Sequence, residues 1–295
     1  MKKNQLATLF ALLAAALYAT SVPCSKGLLE KVSPTMMAAF LYLGAGVGLF
    51  LWGSIARLSG KGEKQKPLTK KELPDTVAMV ILDIFAPILL MLGIERTSAA
   101  NVSLINNFEI VATSLIALLI FKEVITRRLW LAIGLVTAAS IILSFEGTGA
   151  FDFNAGSLFV FGACLCWGFE NNCTKNLSAK DPVQIVVIKG IFSGLGSLVV
   201  ALFAGEDFPP LFPLLCAMLL GFVSYGLSIH FYILAQRSLG AAKTSAYYSI
   251  APFLGAAFGI LFLGERPGVR FFIALAVMIV SMVLMIRDTM SESKE

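Results

Sequence analysis

Five ionisable side chains lie inside long apolar stretches of the sequence. Glu109 stands near the centre of its stretch, whereas the other four share one depth, about 10 Å from the end of a predicted helix. These four are Asp83, Glu170, Lys189 and His230. Ionisable groups are costly in apolar surroundings and tend to be kept there for function, so each is a candidate binding or proton-transfer group. Four such groups at one depth favour the lining of a polar cavity.

The opposite charges of Glu170 and Lys189 stand at similar distances on either side of the turn at Lys180-Asp181. In an antiparallel pair of helices the two groups would meet at one level, where each would keep the other ionised. One hypothesis is a static ion pair that holds two helices together. The other is a pair that opens to receive a charged or zwitterionic substrate, and the sequence leaves both open.

Glu109 and His230 each allow two interpretations as well. Glu109 is either a proton-coupling carboxylate or a polar group bonded to Asn106, Asn107 or a neighbouring helix. His230 is either a hydrogen-bonded core residue or a pH-sensitive gate.

Helical spacing gathers further polar and aromatic side chains around these groups. Asn106, Glu109 and Thr113 follow one face of a helix, and Trp167, Glu170 and Thr174 follow a face of another at the same spacing. The tyrosines of other stretches are interpreted either as packing residues or as aromatic walls of the same cavity. The predicted pathway residues are Tyr18, Ser21, Asn106, Glu109, Thr113, Trp167, Glu170, Asn171, Lys189, His230, Tyr247 and Tyr248.

The stretches that carry these residues are those of an integral membrane protein. The chain has 295 residues, of which 58% are hydrophobic and 14% are charged, with a mean hydropathy of +0.85. A membrane-spanning helix needs about 20 apolar residues. We predict ten such helices, at 6–27, 36–56, 76–94, 98–121, 129–145, 155–177, 183–204, 211–234, 244–263 and 269–286. GxxxG spacings predict close helix packing at Gly44/Gly48, Gly190/Gly194 and Gly255/Gly259.

An internal repeat divides the chain into two five-helix units, residues 1–147 and 148–295. Residues 8–31 align without a gap on 157–180, and residues 99–123 align on 241–265. Because five is an odd number of crossings, the second unit would enter the membrane from the opposite side. Inverted repeats of this kind are common in secondary transporters, whose substrate sites lie near the midplane between the halves.

The loops give the orientation. With the N-terminus inside, 17 Lys and Arg residues fall on the cytoplasmic side and five fall outside, while Lys189 lies within a helix. Positive charge favours the cytoplasmic side, which predicts that both termini are cytoplasmic. The stretch 58–75 is then a basic cytoplasmic loop.

Two repeat-related stretches resemble a known family. They run from Ala99-Ala100-Asn101 through Glu109 to Phe121-Lys122-Glu123, and from Ala241-Ala242-Lys243 through Pro252 to Leu263-Gly264-Glu265. The chain resembles the drug/metabolite transporter superfamily and, within it, the ten-helix EamA permeases. The resemblance implies an exporter of amino acids or other metabolites; related branches carry sugar phosphates and nucleotide sugars. That group usually has Glu-Pro where this chain has Glu109-Ile110, so a kink or gating role falls to Pro252 in the ninth helix.

These observations predict a multi-pass protein of the cytoplasmic (inner) membrane of a prokaryote. The expected function is secondary export of small metabolites, amino acids or similar zwitterions, by alternating access; proton coupling is open. The alternatives are an exchanger of anions such as phosphorylated sugars and a non-transporting scaffold. The sequence has few buried cations, which counts against the anion exchanger. We expect no enzyme activity, no cofactor, no metal site and no nucleic-acid partner; the oligomeric state is open, a homodimer included.

Overall fold

The computed structural model describes residues 3–59, 65–96, 108–144, 155–251, 253–254 and 269–292. Within these ranges the regular elements are helices, and no strand occurs. A 3-10 turn at Lys70–Glu72 precedes the fourth α-helix, and a π-helix at Gly221–Leu227 joins the ninth to the tenth. The α-helices, numbered α1 to α11 in chain order, span Lys3–Ala19, Ser21–Leu28, Pro34–Leu58, Leu73–Arg96, Phe108–Leu119, Arg127–Ser144, Ala155–Leu177, Pro182–Phe203, Leu211–Leu220, Ser228–Tyr248 and Val269–Glu292.

The described residues contain four helical segments that are long and apolar enough to cross a membrane. They are Pro34–Leu58, Lys70–Leu90, Pro182–Phe203 and Leu211–Tyr248. Their outward faces carry large apolar side chains, such as Phe50 and Ile55 on α3, which are 56% and 62% exposed. Continuous apolar faces of this kind are stable against lipid rather than water.

Three irregularities interrupt the helices at the level of the interior polar residues. The first predicted helix, 6–27, is divided at Thr20 into α1 and α2. Pro23 has no N–H to bond the Ala19 carbonyl, which accounts for the break. Pro87 similarly leaves the Asp83 carbonyl without its helical partner inside α4. The π-helix is the third irregularity, and segments of this type occur often at functional sites.

The helices pack in pairs, with α3 along α8, α4 along α7, α1 along α10 and α6 along α11. The α3–α8 contact depends on glycine, because a Cβ atom built on Gly46 would lie 2.7 Å from the Ile191 nitrogen. One built on Gly194 would lie 2.8 Å from the Leu43 nitrogen. The close packing predicted for Gly190/Gly194 is therefore confirmed, whereas Gly255/Gly259 lies outside the described residues.

A polar network ties the segment 65–72 to the turn between α7 and α8. The Arg237 guanidinium donates to the carbonyls of Ser178 and Lys180, each at 2.6 Å, and the Lys180 ammonium lies 3.0 Å from the Glu72 carboxylate. The Asp181 amide donates to the Lys66 carbonyl at 2.8 Å. The described part of the predicted loop 58–75 is thus packed against the helix ends.

A carboxylate caps α3 at the opposite end of the bundle. The Ser33 hydroxyl donates to Glu206 at 2.7 Å, and the Met36 amide donates to the same carboxylate at 2.8 Å. Glu206 thereby satisfies backbone donors that a helix start leaves unpaired.

A glycine turn takes the place of the loop expected between the predicted helices 211–234 and 244–263. Gly240 has a φ of +79°, a left-handed conformation that glycine adopts at little cost. The Glu123 carboxylate accepts a hydrogen bond from the Ala241 amide at 3.1 Å, which caps the segment after the turn. Burial raises the pKa of Glu123, and this hydrogen bond opposes the rise.

Candidate functional site

A cavity of about 140 Å³ lies between the helices. It is large enough for several water molecules or one small solute. Its described lining comes from α1, α3, α4, α5, α7, α8, the π-helix, α10 and the residues just after α10, while α6 and α11 contribute none of it. The lining residues are Tyr18, Tyr42, Asp83, Glu109, Ile110, Trp167, Glu170, Asn171, Thr174, Lys189, Tyr225, Ile229, Tyr232, Ser245, Tyr248, Ser249 and Ala251.

Asp83, Glu170 and Lys189 form a charged cluster on one side of the cavity. The Lys189 Nζ atom lies 2.8 Å from Glu170 Oε1 and 3.0 Å from Asp83 Oδ2. The three side chains are only 6%, 3% and 0% exposed, in the order Lys189, Glu170, Asp83. The ion pair expected between Glu170 and Lys189 is therefore present, and Asp83 from a third helix joins it.

Two hydroxyl groups complete the charged cluster. The Tyr42 phenol donates to Asp83 Oδ1 at 3.1 Å, and the Thr174 hydroxyl donates to Glu170. A buried carboxylate is stable only when it is paired and hydrogen-bonded. The cluster meets that need for both acids and joins α3, α4, α7 and α8.

Glu109 lies apart from the charged cluster and is held by a neutral partner on α7. The Asn171 Nδ2 atom donates to Glu109 Oε1 at 3.0 Å and to the Thr113 hydroxyl at 3.2 Å. The Asn171 carbonyl in turn accepts from Gln236 at 2.9 Å. A bond from a neighbouring helix is one of the two interpretations offered for Glu109, and it places a carboxylate on the cavity surface.

Four tyrosines, which we call the tyrosine wall, form the opposite side of the cavity: Tyr18, Tyr225, Tyr232 and Tyr248. The Tyr18 ring centroid lies 5.4 Å from that of Tyr248 and 5.6 Å from that of Tyr225. The Tyr232 and Tyr248 centroids are 5.0 Å apart. These distances are typical of interacting aromatic pairs, so the rings make a continuous surface.

The structure brings together seven of the predicted pathway residues. Ser21 and Thr113 are buried but do not line the cavity, and the Thr113 hydroxyl accepts a hydrogen bond from Asn171. Asn106 and Pro252 lie outside the described residues. The seven that line the cavity are Tyr18, Glu109, Trp167, Glu170, Asn171, Lys189 and Tyr248.

His230 and Tyr247 are not in the cavity lining. The His230 ring contacts Trp52 edge-on at 5.3 Å and Phe231 at 5.5 Å, so it does not join the three charged residues that share its depth. Tyr247 is fully buried in a separate apolar cluster. Adjacent residues of a helix face different directions, and only Tyr248 of this pair points to the cavity.

The prediction from the sequence missed several lining residues, although the rarity of tyrosine in this chain is a signal for them. The chain has six tyrosines, and five of them line the cavity. Tyr42, Tyr225 and Tyr232 were not among the predicted residues, nor were Ser245 and Ser249. A count of phenol groups within the predicted helices would have found the three tyrosines.

Comparison with known proteins gives a family. The sequence pattern of the EamA-like transporter family matches residues 5–145 and again residues 154–287. An uncharacterized transporter of Methanothermobacter thermautotrophicus (strain Delta H) is 26% identical over an alignment of 268 positions that covers 84% of this chain and 76% of that protein. A solved structure described as "Crystal structure of protein" superposes with a TM-score of 0.79 at 15% identity, over 94% of this chain and 95% of the other. The two pattern matches cover most of the chain, which belongs to the EamA-like transporter family.

Proposed function

We propose that this protein is a secondary transporter that exports small metabolites, amino acids or similar zwitterions, across the cytoplasmic membrane of a prokaryotic cell. The observation that carries the proposal is the cavity, in which carboxylates, one lysine and five tyrosines face a small space enclosed by apolar helices. Such groups are costly within a membrane unless they meet a solute. Family membership supports transport in general.

We propose ten membrane-spanning helices arranged as two inverted repeats, residues 1–147 and 148–295. The separate family matches to each half support this division. The packing supports it as well: exchanging the halves turns the pairing of α4 with α7 into the pairing of α10 with α1. The α3–α8 pair and the α6–α11 pair each join two corresponding helices, so exchanging the halves leaves both pairs unchanged. A two-fold axis in the membrane plane would relate the units and pass near the cavity.

We propose that both termini are cytoplasmic and that transport proceeds by alternating access. In this orientation the Arg237 network lies on the cytoplasmic side and the Ser33–Glu206 contact lies on the outer side. Each would have to loosen in turn as the cavity opens to one side and then to the other. Exporting a solute against its gradient then needs a coupled ion.

We propose that Glu109 carries the coupling proton. Its carboxylate faces the cavity and is held by a neutral amide rather than by a lysine, so no cation in the described part of the chain fixes it in the ionised form. Replacing Glu109 by Gln should still allow exchange between the two sides at saturating substrate concentration and should abolish accumulation driven by a pH gradient.

The test uses the full chain reconstituted in vesicles, with radiolabelled amino acids offered with and without a pH gradient. Flux of at least one amino acid above that of protein-free vesicles is expected. Glu30→Gln is the matched control, because Glu30 is exposed and outside the cavity. Unchanged accumulation in the Glu109→Gln variant would remove Glu109 from coupling. Absence of flux for a broad set of metabolites would refute the transporter itself.

A further inference from the structure

We infer that the cavity binds the ammonium group of its substrate beside Glu109, against Tyr18, Tyr232 and Tyr248, and that a substrate carboxylate is not needed for recognition. This inference rests on the proposed transport function and narrows its substrate to amines with a protonated or quaternary nitrogen. Amino acids fit because they carry an ammonium group, and simple amines fit equally well.

The charge balance of the lining favours a cation. The described lining holds three carboxylates, Asp83, Glu109 and Glu170, and one lysine. Lys189 already contacts both Asp83 and Glu170, at 3.0 and 2.8 Å. Among the described residues, the hydrogen-bond partner of the Glu109 carboxylate is the Asn171 amide, at 3.0 Å. A substrate cation beside Glu109 would give this carboxylate the charge partner that it lacks among the described residues.

The same balance disfavours an anion. Lys189 is the one cationic side chain in the described lining, and Asp83 and Glu170 already match its charge. A substrate carboxylate that bonded the third N–H of Lys189 would bring a third negative charge to this cluster, and one that bonded in place of Asp83 or Glu170 would displace that acid. The displaced acid would then be buried without its partner, which is strongly unfavourable. A carboxylate in the substrate would therefore be tolerated at the edge of the site rather than bound.

The tyrosine wall supplies the second half of an ammonium site. Aromatic faces attract ammonium ions, and the attraction increases when water is excluded. Glu109 lines the same small cavity as Tyr18, Tyr232 and Tyr248, so a cation within it could contact the carboxylate and the rings together. The Tyr248 hydroxyl lies 3.3 Å from that of Ser228, which helps to fix the ring.

Three probes with one carbon skeleton isolate the head group. They are isoamylamine, leucine and 4-methylpentanoate, which present an ammonium group, both groups and a carboxylate, respectively. Their binding to the purified full chain in detergent micelles is measured by isothermal titration calorimetry. We expect the amine to bind at least tenfold more tightly than the carboxylate, with leucine no tighter than the amine.

Substitutions at Glu109 and Tyr248 test whether these residues cause the preference for the amine. Glu109→Gln should reduce amine affinity at least tenfold, Tyr248→Leu should reduce it severalfold, and Tyr248→Phe should keep most of it because the ring remains. Glu30→Gln should change nothing. Circular dichroism and size-exclusion profiles identify any variant that fails to fold, and Glu109→Asp, which keeps the charge, should retain the preference for the amine.

The outcomes separate this inference from the proposed function. Equal or tighter binding of 4-methylpentanoate, no binding of isoamylamine, or a preference that persists in Glu109→Gln would overturn the ammonium site. Vesicle flux of amino acids combined with any of these results would leave the transporter in place. Amine binding that depends on Glu109, found together with no vesicle flux, would support the ammonium site and refute the proposed transport.

Discussion

The two sides of the cavity, the charged cluster and the tyrosine wall, are built on corresponding helices of the proposed repeats. Asp83, Glu170 and Lys189 come from predicted helices three, six and seven. Their counterparts in the repeat are helices eight, one and two. Helices eight and one carry Tyr225 and Tyr18 of the tyrosine wall, and helix two carries Tyr42, which contacts both Tyr225 and Asp83. One arrangement of helices therefore supports ionic contacts on one side and aromatic contacts on the other.

This difference teaches how a symmetric scaffold gains a directional binding site. On the charged side every ionised group is paired within the protein, so the cluster holds helices together and has little capacity left for a ligand. On the tyrosine side the rings contact one another through faces and edges and leave an open surface. Tyr42 joins the two, since its ring contacts Tyr225 at 5.6 Å and its hydroxyl bonds Asp83.

The largest effect is expected from removing the lysine of the charged cluster. Lys189→Met leaves Asp83 and Glu170 buried without a cation, and breaking a buried pair in this way costs about 3–5 kcal/mol. Unfolding of the purified variant by denaturant in mixed micelles, followed by circular dichroism, measures the loss.

A compensated variant distinguishes charge from packing. Asp83→Asn and Glu170→Gln added to Lys189→Met remove all three charges with little change in volume, so most of the lost stability should return. If the triple variant is as unstable as Lys189→Met alone, packing of the lysine side chain, and not its charge, stabilises this side.

An intermediate effect is expected where the two sides meet. Tyr42→Phe keeps the ring against Tyr225 and removes the hydrogen bond to Asp83. Hydrogen bonds to charged groups contribute about 1.5–3 kcal/mol, so the same unfolding measurement should show a loss in this range. Adding Asp83→Asn should reduce the effect of Tyr42→Phe, because the bond then joins two neutral groups. Independent, additive losses would mean that the two residues are not coupled.

Much of this arrangement could be predicted from the sequence. Glu170 and Lys189 stand symmetrically about a turn, so the geometry of a helical hairpin brings them together. Their depth also groups them with Asp83. The same reasoning misplaced His230, because depth along a helix says nothing about direction around it, and the His230 ring packs edge-on against Trp52 instead.

The rest depends on features that local spacing does not contain. Tyr225 lines the cavity from within the π-helix, and a change of helical pitch is not visible in a pattern read at 3.6 residues per turn. The break at Thr20 and the turn at Gly240 were also missed. Pro23 and Gly240 mark these two positions in the sequence. The prediction from apolar composition alone nevertheless gave one continuous helix across the first position and a loop at the second.

The smallest effect, and the sharpest test of the comparison, is expected from the same chemical change made within the tyrosine wall. Tyr248→Phe removes a hydroxyl whose partner, 3.3 Å away, is the uncharged Ser228 hydroxyl. A neutral hydrogen bond contributes about 0.5–1.5 kcal/mol, so this variant should lose less stability than Tyr42→Phe in the same assay. Both substitutions delete one oxygen from a cavity-lining ring, so the difference between them reports the charge of the partner. A loss for Tyr248→Phe equal to or greater than that for Tyr42→Phe would mean that hydroxyl bonds stabilise both sides of the cavity alike, and the distinction between an ionic side and an aromatic side would fail.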